Sequence, residues 1–269
     1  MTWKAMVHSA IGTRHEQRGQ PCQDYGNYQE KGFYLLGAVS DGAGSAKYAE
    51  AGAQIAVESA LAAIAQILAD QFVSVLEDAP ILSQDAINTF APHLFQQTFV
   101  AVLNALNQEA SESGCDLRDL NCTLLAFAAT PNWVAAMQIG DGFMVVRSQA
   151  DSTYQLLFKP DKGEFINETL FVTTPDALDD LQVNVVVAES PFVCAATDGL
   201  ERVALHLQDW LPHAPFFKPF ETCLNQLPTQ AEREAYLQTF LDSERLNAKT
   251  DDDKTLLMCL YNGSCLEGL

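Results

Sequence analysis

Short apolar runs bounded by Gly, Pro, Asn or Asp recur through the middle and the end of the chain. Runs of this length and composition are typical of β-strands, and several follow one another closely, as antiparallel neighbours do. The pattern predicts strands at Phe33–Val39, Thr123–Ala129, Trp133–Ile139, Phe143–Arg147, Tyr154–Phe158, Val183–Ala188, Phe192–Ala196 and Thr255–Tyr261.

Apolar residues at three-to-four spacing lie before and after this β-rich region and indicate helices. In the first helical segment they are mostly alanines, which suits close packing on a sheet, and in the second Pro92 is expected to break or kink the helix. The aromatic, proline-rich segment 210–220 is expected to be a packed loop. The predicted helices are Lys47–Ala69, Gln84–Ala110, Phe217–Leu227 and Thr229–Leu241.

Helices that flank a mainly antiparallel β core predict an α+β sandwich, in which the sheets pack together and the helices cover them. The 269 residues contain no Gly/Ser-rich linker, low-complexity tract or internal repeat. Residues 1–269 are therefore expected to form a single domain.

Two segments, the N-terminus and the most apolar helical stretch, could direct a protein out of the cytoplasm or into a membrane. The opening MTWKAMVHSA lacks the apolar stretch of a signal peptide. The most apolar helical stretch, Gln54–Ala69, is interrupted by Glu58 and Gln66 and is too short to span a bilayer. We therefore expect a cytoplasmic protein with no membrane partner.

Charge narrows the classes of function. The chain has 15 Lys+Arg against 35 Asp+Glu, a formal net charge of -20, and no basic stripe, which argues against a nucleic-acid partner. The 7 cysteines are odd in number and form no C-x-x-C pair, so neither a zinc site nor a disulfide framework is expected. The carboxylate surplus is either solvated surface or, in part, a site for hard cations.

Acidic residues recur where predicted strands begin or end. Asp-Gly directly follows three apolar runs, at Asp41, Asp141 and Asp198, and the triplet 251–253 precedes the last strand. Asp24 lies shortly before the strand at Phe33. Asp-Gly is a common hairpin turn, and at Asp141, where another strand follows, a hairpin is the prediction.

The other two Asp-Gly pairs precede helix-like sequence, so a two-residue hairpin does not explain Asp41 or Asp198. Acids at several strand ends can converge, and carboxylates cannot crowd together in a cleft unless something neutralises them. No Lys/Arg cluster is placed in the sequence to do so. Oxygen ligands without Cys or paired His favour Mg²⁺ or Mn²⁺.

These motifs, in this order, resemble the metal-dependent serine/threonine protein phosphatases of the PP2C (PPM) family. The resemblance rests on HEQRGQPCQDYG, AVSDGAGS, NCTLLAF, MQIGDGFMVV, AATDGLERV and DDDKTLLM and covers almost the whole chain. It is greatest to the bacterial stand-alone branch. It implies a four-layer α-β-β-α sandwich, and a phosphorylated protein as substrate with a cognate Ser/Thr kinase as a further partner.

The resemblance also implies two Mn²⁺ or Mg²⁺ ions and a water nucleophile, with no covalent phosphoenzyme. Within the acidic triplet Asp252 is chosen because Thr255 lies three residues later, as the family pattern requires; Asp253 then stands where Asn is usual. Asp119 is the candidate for a third ion. The implied ligands are Asp41 as the bridging carboxylate, the Gly42 carbonyl, Asp24, Asp198 and Asp252.

Two positions depart from the family pattern. Many relatives have His where this chain has Ala43, and a phosphate-binding Arg where it has Gly19. His15 or Arg18 is the candidate to contact the substrate phosphate; alternatively, His15 makes only a structural hydrogen bond. These departures leave open a catalytically weak regulatory or phosphoprotein-binding module. Segment 159–168 falls at the family's variable flap and is either a substrate-selecting element or an ordinary surface loop.

Overall fold

Two five-stranded antiparallel sheets form the centre of the structure. The computed structural model describes residues 2–71, 83–148, 152–158, 169–188 and 192–262. The strands are β1 (Thr2–Ala10), β2 (Asp24–Lys31), β3 (Tyr34–Asp41), β4 (Leu124–Ala129), β5 (Trp133–Ile139), β6 (Phe143–Arg147), β7 (Tyr154–Leu156), β8 (Gln182–Val187), β9 (Phe192–Ala196), β10 (Leu205–His206), β11 (Leu211–Pro212) and β12 (Lys254–Asn262). One sheet has the order β1-β12-β9-β6-β7 and the other β2-β3-β4-β5-β8, with a small β10–β11 pair beside them.

Helices cover the outer face of each sheet. Short 3₁₀ turns at Leu117–Leu120 and Asp198–Leu200 connect some of the elements. The α-helices are α1 (Thr13–Arg18), α2 (Ala49–Gln71), α3 (Gln84–Ser113), α4 (Glu201–Ala204), α5 (Ala214–Gln226), α6 (Gln230–Leu241) and α7 (Glu244–Asn247).

Three apolar clusters hold the layers together. The first lies between α2, α3 and the β2–β8 sheet, and the second between α4–α6 and the β1–β7 sheet. The third lies between the two sheets and includes Leu35, Phe127, Val193 and Leu257, which are fully buried. This arrangement confirms the α+β, four-layer α-β-β-α sandwich. The shared central cluster supports the expectation of one domain, which stays a prediction for residues 1–269.

The predicted strands all form, with ends that shift by a few residues, whereas β2 and α1 were not predicted. β1 and β2 lie at sheet edges. Most residues of β2 are only half-buried, so its sequence DYGNYQEK is polar rather than apolar. β2 therefore lacks the apolar run that identifies the buried strands.

Two features of the helices differ from the prediction. α3 continues through Pro92, so the expected break does not occur, while a kink stays a prediction; the carbonyl that loses its N–H partner belongs to Asn88, which is exposed and can bond to water. The expected packed loop at 210–220 is mostly the first part of α5, which starts at Ala214 and buries Phe216, Phe217 and Phe220. Aromatic residues at helical spacing outweigh its prolines.

The membrane argument from length was also wrong. α2 runs for 23 residues, long and apolar enough by length and composition alone to cross a bilayer. Its fully buried residues Ala53, Ala56, Ala60 and Ile64 instead belong to the cluster shared with the β2–β8 sheet and α3. Packing, and not a shortage of length, explains the apolar character of this helix.

Candidate metal centre

One end of the sandwich gathers the acidic residues. β2 begins and β3 ends there, with Asp24 as the cross-strand partner of Asp41. The same end of the other sheet contains the end of β9 and the start of β12, where Ala196 pairs with Leu256. Asp198 and Asp252 lie just beyond these two positions. The fold thus brings four of the predicted ligands to one edge.

Asp24 is buried, with 5% of its surface exposed, and is held in a fixed orientation. The hydroxyl of Thr197 donates to Asp24 Oδ2 at 2.6 Å, and the same hydroxyl accepts the N–H of Thr255 at 2.9 Å. The Asp41 N–H donates to Thr123 Oγ1 at 2.9 Å. Each of these two carboxylate residues is therefore tied to a neighbouring strand end.

The electrostatics show how crowded the carboxylates are. Burial, together with the charges of Asp253 and Asp198, raises the pKa of Asp24 to about 8. Burial also raises the pKa of Asp41 well above its usual range, with contributions from Asp24, Asp198, Asp252 and Asp141. Such shifts mean that these groups do not all carry negative charge together without a positive counter-charge.

Asp141 belongs to this group, which corrects the predicted hairpin at Asp141-Gly142. β5 lies in one sheet and β6 in the other, so the connection crosses between the sheets instead of turning back. The crossing places the Asp141 charge close enough to raise the pKa of Asp41, and the Thr169 hydroxyl donates to Asp141 Oδ2 at 3.0 Å. The strand that follows Asp141 suggested a hairpin, because sequence alone does not show which sheet a strand joins.

The backbone after Asp41 is closely packed. The Gly42 N–H donates to the Gln23 carbonyl at 3.1 Å, and a Cβ on Gly42 would lie 2.4 Å from the Ala49 carbonyl oxygen and 2.8 Å from that of Gln23. Both neighbours are backbone atoms that cannot swing aside. Only glycine therefore allows this approach beside Asp24 and Asp41.

Asp253 has a different role from its neighbour Asp252. Its side chain is buried and accepts three hydrogen bonds: Oδ1 from the Gly12 N–H at 2.6 Å, and Oδ2 from the Gln23 N–H at 2.6 Å and His15 Nδ1 at 2.9 Å. Asp253 thus joins the start of α1 to the segment before β2. Asp252 is partly exposed and its charge acts on Asp41, and its choice as the ligand within the triplet stays a prediction.

The basic residues near the cluster come from α1 and β12. Arg14 Nη2 donates to Asp252 Oδ1 at 3.2 Å, and Lys254 is fully buried behind the acidic triplet. The sequence showed no Lys/Arg cluster there because these residues are far apart in the chain. His15 is buried, with 5% of its surface exposed, and its hydrogen bond to Asp253 is a structural one, as expected in the alternative to phosphate binding. Arg18 is exposed at the end of α1.

Asp119 uses both its carboxylate and its carbonyl in hydrogen bonds. Its carboxylate caps the 3₁₀ turn 117–120 by accepting the Asp116 N–H at 3.2 Å, and its carbonyl accepts the Tyr48 N–H at 2.8 Å. Its role as a ligand for a third ion stays a prediction. Segment 159–168, the predicted flap, lies outside the described residues.

The chemistry of the donors fits hard divalent cations. The cluster offers carboxylate and carbonyl oxygens, the donors that Mg²⁺ and Mn²⁺ prefer. Gln23, next to Asp24, is buried, and its Oε1 has no hydrogen-bond partner among the described residues. As the side chains stand, no three His, Cys, Asp or Glu residues of the described ranges enclose a single point. The arrangement is therefore an acidic cluster without a closed set of ligands, next to an acceptor with no partner among the described residues, which suits cations that retain waters.

Comparison with known proteins agrees with this geometry. The family model for protein phosphatase 2C matches residues 11–242. The chain is 34% identical over 269 residues to serine/threonine-protein phosphatase 3 of Escherichia coli (strain K12), covering 97% of this chain and 99% of that protein.

Solved structures share the fold at lower identity. A bacterial serine phosphatase has a TM-score of 0.60 at 13% identity, covering 98% of this chain and 100% of its own. The serine/threonine phosphatase of S. agalactiae has a TM-score of 0.59 at 16% identity, covering 97% and 100%. With a family model that matches most of its length and a curated relative over nearly all of it, this chain belongs to the protein phosphatase 2C family.

Proposed function

We propose that this chain hydrolyses phosphoserine and phosphothreonine in proteins, using a water molecule at a pair of Mn²⁺ or Mg²⁺ ions. The observation that carries the proposal is the convergence of Asp24, Asp41, Asp198 and Asp252 at one edge of the sandwich. When bound, such ions lower the pKa of water and offset charge on the phosphoryl oxygens.

Different residues of the cluster have different roles in binding the ions. Asp41 and Asp24 are the most central, and Asp41 suits the bridging position because four other carboxylates act on it. The Thr197 hydroxyl directs one oxygen of Asp24, which leaves the other available as a ligand. The tight packing of Gly42 fixes the backbone beside them, so that its carbonyl can serve as a further ligand.

A third ion would add to this pair. Asp119 is the candidate from the sequence, and Asp141 is the additional carboxylate that acts on Asp41 in the structure. We propose Asp141 as the stronger candidate, because the carboxylate of Asp119 is already used to cap a turn.

The substrate phosphate is proposed to be bound from α1, through Arg18, His15 or both. Arg18 is exposed and always charged, as a phosphate ligand requires. His15 uses Nδ1 on Asp253, so Nε2 is the atom left to reach a phosphate or to pass a proton to the departing alkoxide. Arg14, which pairs with Asp252, adds positive charge to the same side of the cleft.

The partners follow from the activity. We propose a phosphorylated protein as substrate, a Ser/Thr kinase as the opposing enzyme and the cytoplasm as the location. No nucleic-acid or membrane partner is proposed for a chain of net charge -20.

The substrate class is tested with matched peptides that carry phosphoserine, phosphothreonine or phosphotyrosine, with para-nitrophenyl phosphate as a general substrate. We expect Mn²⁺-dependent release of phosphate from the first two peptides and little from the third. A chain that binds Mn²⁺ but hydrolyses none of the four would instead be a regulatory or phosphoprotein-binding module.

A further inference from the structure

Lys254 is a fully buried lysine that the proposed chemistry does not use. It is the first residue of β12, two residues after Asp252, and has 0% of its surface exposed. Its amine donates to the Ile11 carbonyl at 3.3 Å, to Asn247 Oδ1 at 3.1 Å and to the Asp252 carbonyl at 3.3 Å. An ammonium group has three protons, so these three acceptors use its whole donor capacity.

The three acceptors belong to different parts of the fold. Ile11 lies in the connection between β1 and α1, Asn247 ends α7, and Asp252 lies in the loop before β12. One amine therefore joins the loop of a proposed metal ligand to the end of α7 and to the connection after β1, which is remote in sequence.

Neighbouring contacts hold the same loop to the start of α1. The Arg14 N–H donates to the Asp251 carbonyl at 3.1 Å, and a Cβ on Gly12 would lie 2.3 Å from the Asp252 carbonyl carbon. Lys254 adds the bond that reaches the Asp252 carbonyl itself. The backbone of Asp252 is thus fixed by contacts on both sides.

This matters because Asp252 lies on a loop, and the loop must keep its carboxylate close to Asp41 although the two charges repel. A loosened loop would let Asp252 move away, and assembling the ligands around an ion would then cost more. We propose that Lys254 is a positioning residue for metal binding, whose buried amine fixes the backbone of Asp252 within the ligand cluster. The inference rests on the ligand role of Asp252 in the proposed function.

The test replaces Lys254 with Met, which keeps most of the side-chain volume but removes the three donors. Lys4→Met is the matched control, because the Lys4 amine also donates to a backbone carbonyl, that of Asn225 at 3.0 Å, toward the other end of β1. Mn²⁺ affinity is measured by calorimetry, and the Tm is measured in EDTA.

We expect Lys254→Met to bind Mn²⁺ about ten-fold more weakly than the parent and than Lys4→Met, the size of loss typical when a residue that orients a metal ligand is removed. High Mn²⁺ should restore most of its rate. If its Tm falls but its Mn²⁺ affinity equals that of the parent, Lys254 only stabilises the fold and the proposal is overturned.

Asn247→Ala keeps the test decisive if Lys254→Met does not fold. It removes one acceptor and leaves the amine, and we expect about three-fold weaker Mn²⁺ binding, the scale of one neutral hydrogen bond; unchanged affinity counts against the proposal. Asp252→Asn separates the two levels of inference. If Asp252→Asn weakens Mn²⁺ binding while the Lys254 and Asn247 variants do not, Asp252 is a ligand but Lys254 does not position it. If Asp252→Asn also binds Mn²⁺ like the parent, the ligand role of Asp252 itself is wrong.

Discussion

Asp24, the first residue of β2, is the cross-strand partner of Asp41, the last residue of β3. Two carboxylates on paired positions repel each other, yet both are largely withdrawn from solvent. The pairing therefore makes the metal-free fold sensitive to the protonation of these two groups.

The first prediction concerns pH. The pKa of Asp24 is raised from 3.8 to about 8, so between these values the folded protein holds a proton that the unfolded chain has released. Stability of the metal-free protein should consequently fall as the pH rises through this range. Asp24→Asn stays neutral at every pH. It should be more stable than the parent by about 1–3 kcal/mol near the upper end of this pH range, and as stable as the parent near the lower end.

Urea unfolding in EDTA at the two ends of this pH range measures the effect. Asp180→Asn, the same substitution at an exposed carboxylate, serves as a control for general effects of substitution. A parent protein whose metal-free stability rises steadily with pH, with Asp24→Asn following the same curve, would contradict the pairing.

The second prediction concerns the backbone after Asp41. A methyl group at Gly42 would meet the Ala49 and Gln23 carbonyl oxygens, so Gly42→Ala should cost about 1–3 kcal/mol of stability. Gly44→Ala is the matched control in the same loop, since the closest atom to its Cβ would be Gln23 Oε1 at 3.9 Å. Equal Tm values for the two variants would contradict the close approach of the Ala49 and Gln23 carbonyl oxygens to Gly42.

The edge strands and the site show how far sequence reasoning reaches. Buried strands such as β4 and β5 were predicted because both faces are apolar, whereas β2 was not, because its sequence is polar and half-exposed. The acids at strand ends were identified from Asp-Gly pairs and family order, which are local in the chain. The roles of Asp253 and Asp141 were not, because they depend on partners brought together only by folding, such as His15 and Asp41.

The third prediction concerns the phosphate-binding side chains of α1. His15→Gln and Arg18→Gln should each leave Mn²⁺ binding largely intact, and at least one should raise KM for a phosphothreonine peptide about ten-fold, the scale of one charged hydrogen bond. Arg245→Gln, an exposed arginine on α7, is the control. His15→Gln should also lower the Tm, because buried Asp253 loses a donor. Unchanged KM and kcat in both α1 variants would rule out this subsite.

The fourth prediction separates the two candidates for a third ion. Asp141→Asn should weaken the binding of the weakest Mn²⁺ ion more than Asp119→Asn does, because the Asp141 charge acts on Asp41 whereas the carboxylate of Asp119 already caps a turn. Calorimetric titration with Mn²⁺ resolves the strong and weak sites. A larger loss in Asp119→Asn would return the third site to the residue chosen from the sequence.

The central claim is that hydrolysis depends on ions held by Asp41 and its neighbours. The most direct test is the rate of phosphate release from a phosphothreonine peptide by the parent and by Asp41→Asn, each with saturating Mn²⁺ and with EDTA, alongside the number of Mn²⁺ ions bound. We predict two tightly bound ions in the parent and a rate lowered at least about a thousand-fold by EDTA or by the substitution. A parent rate that survives EDTA, or an Asp41→Asn variant that stays active without bound metal, would contradict the account.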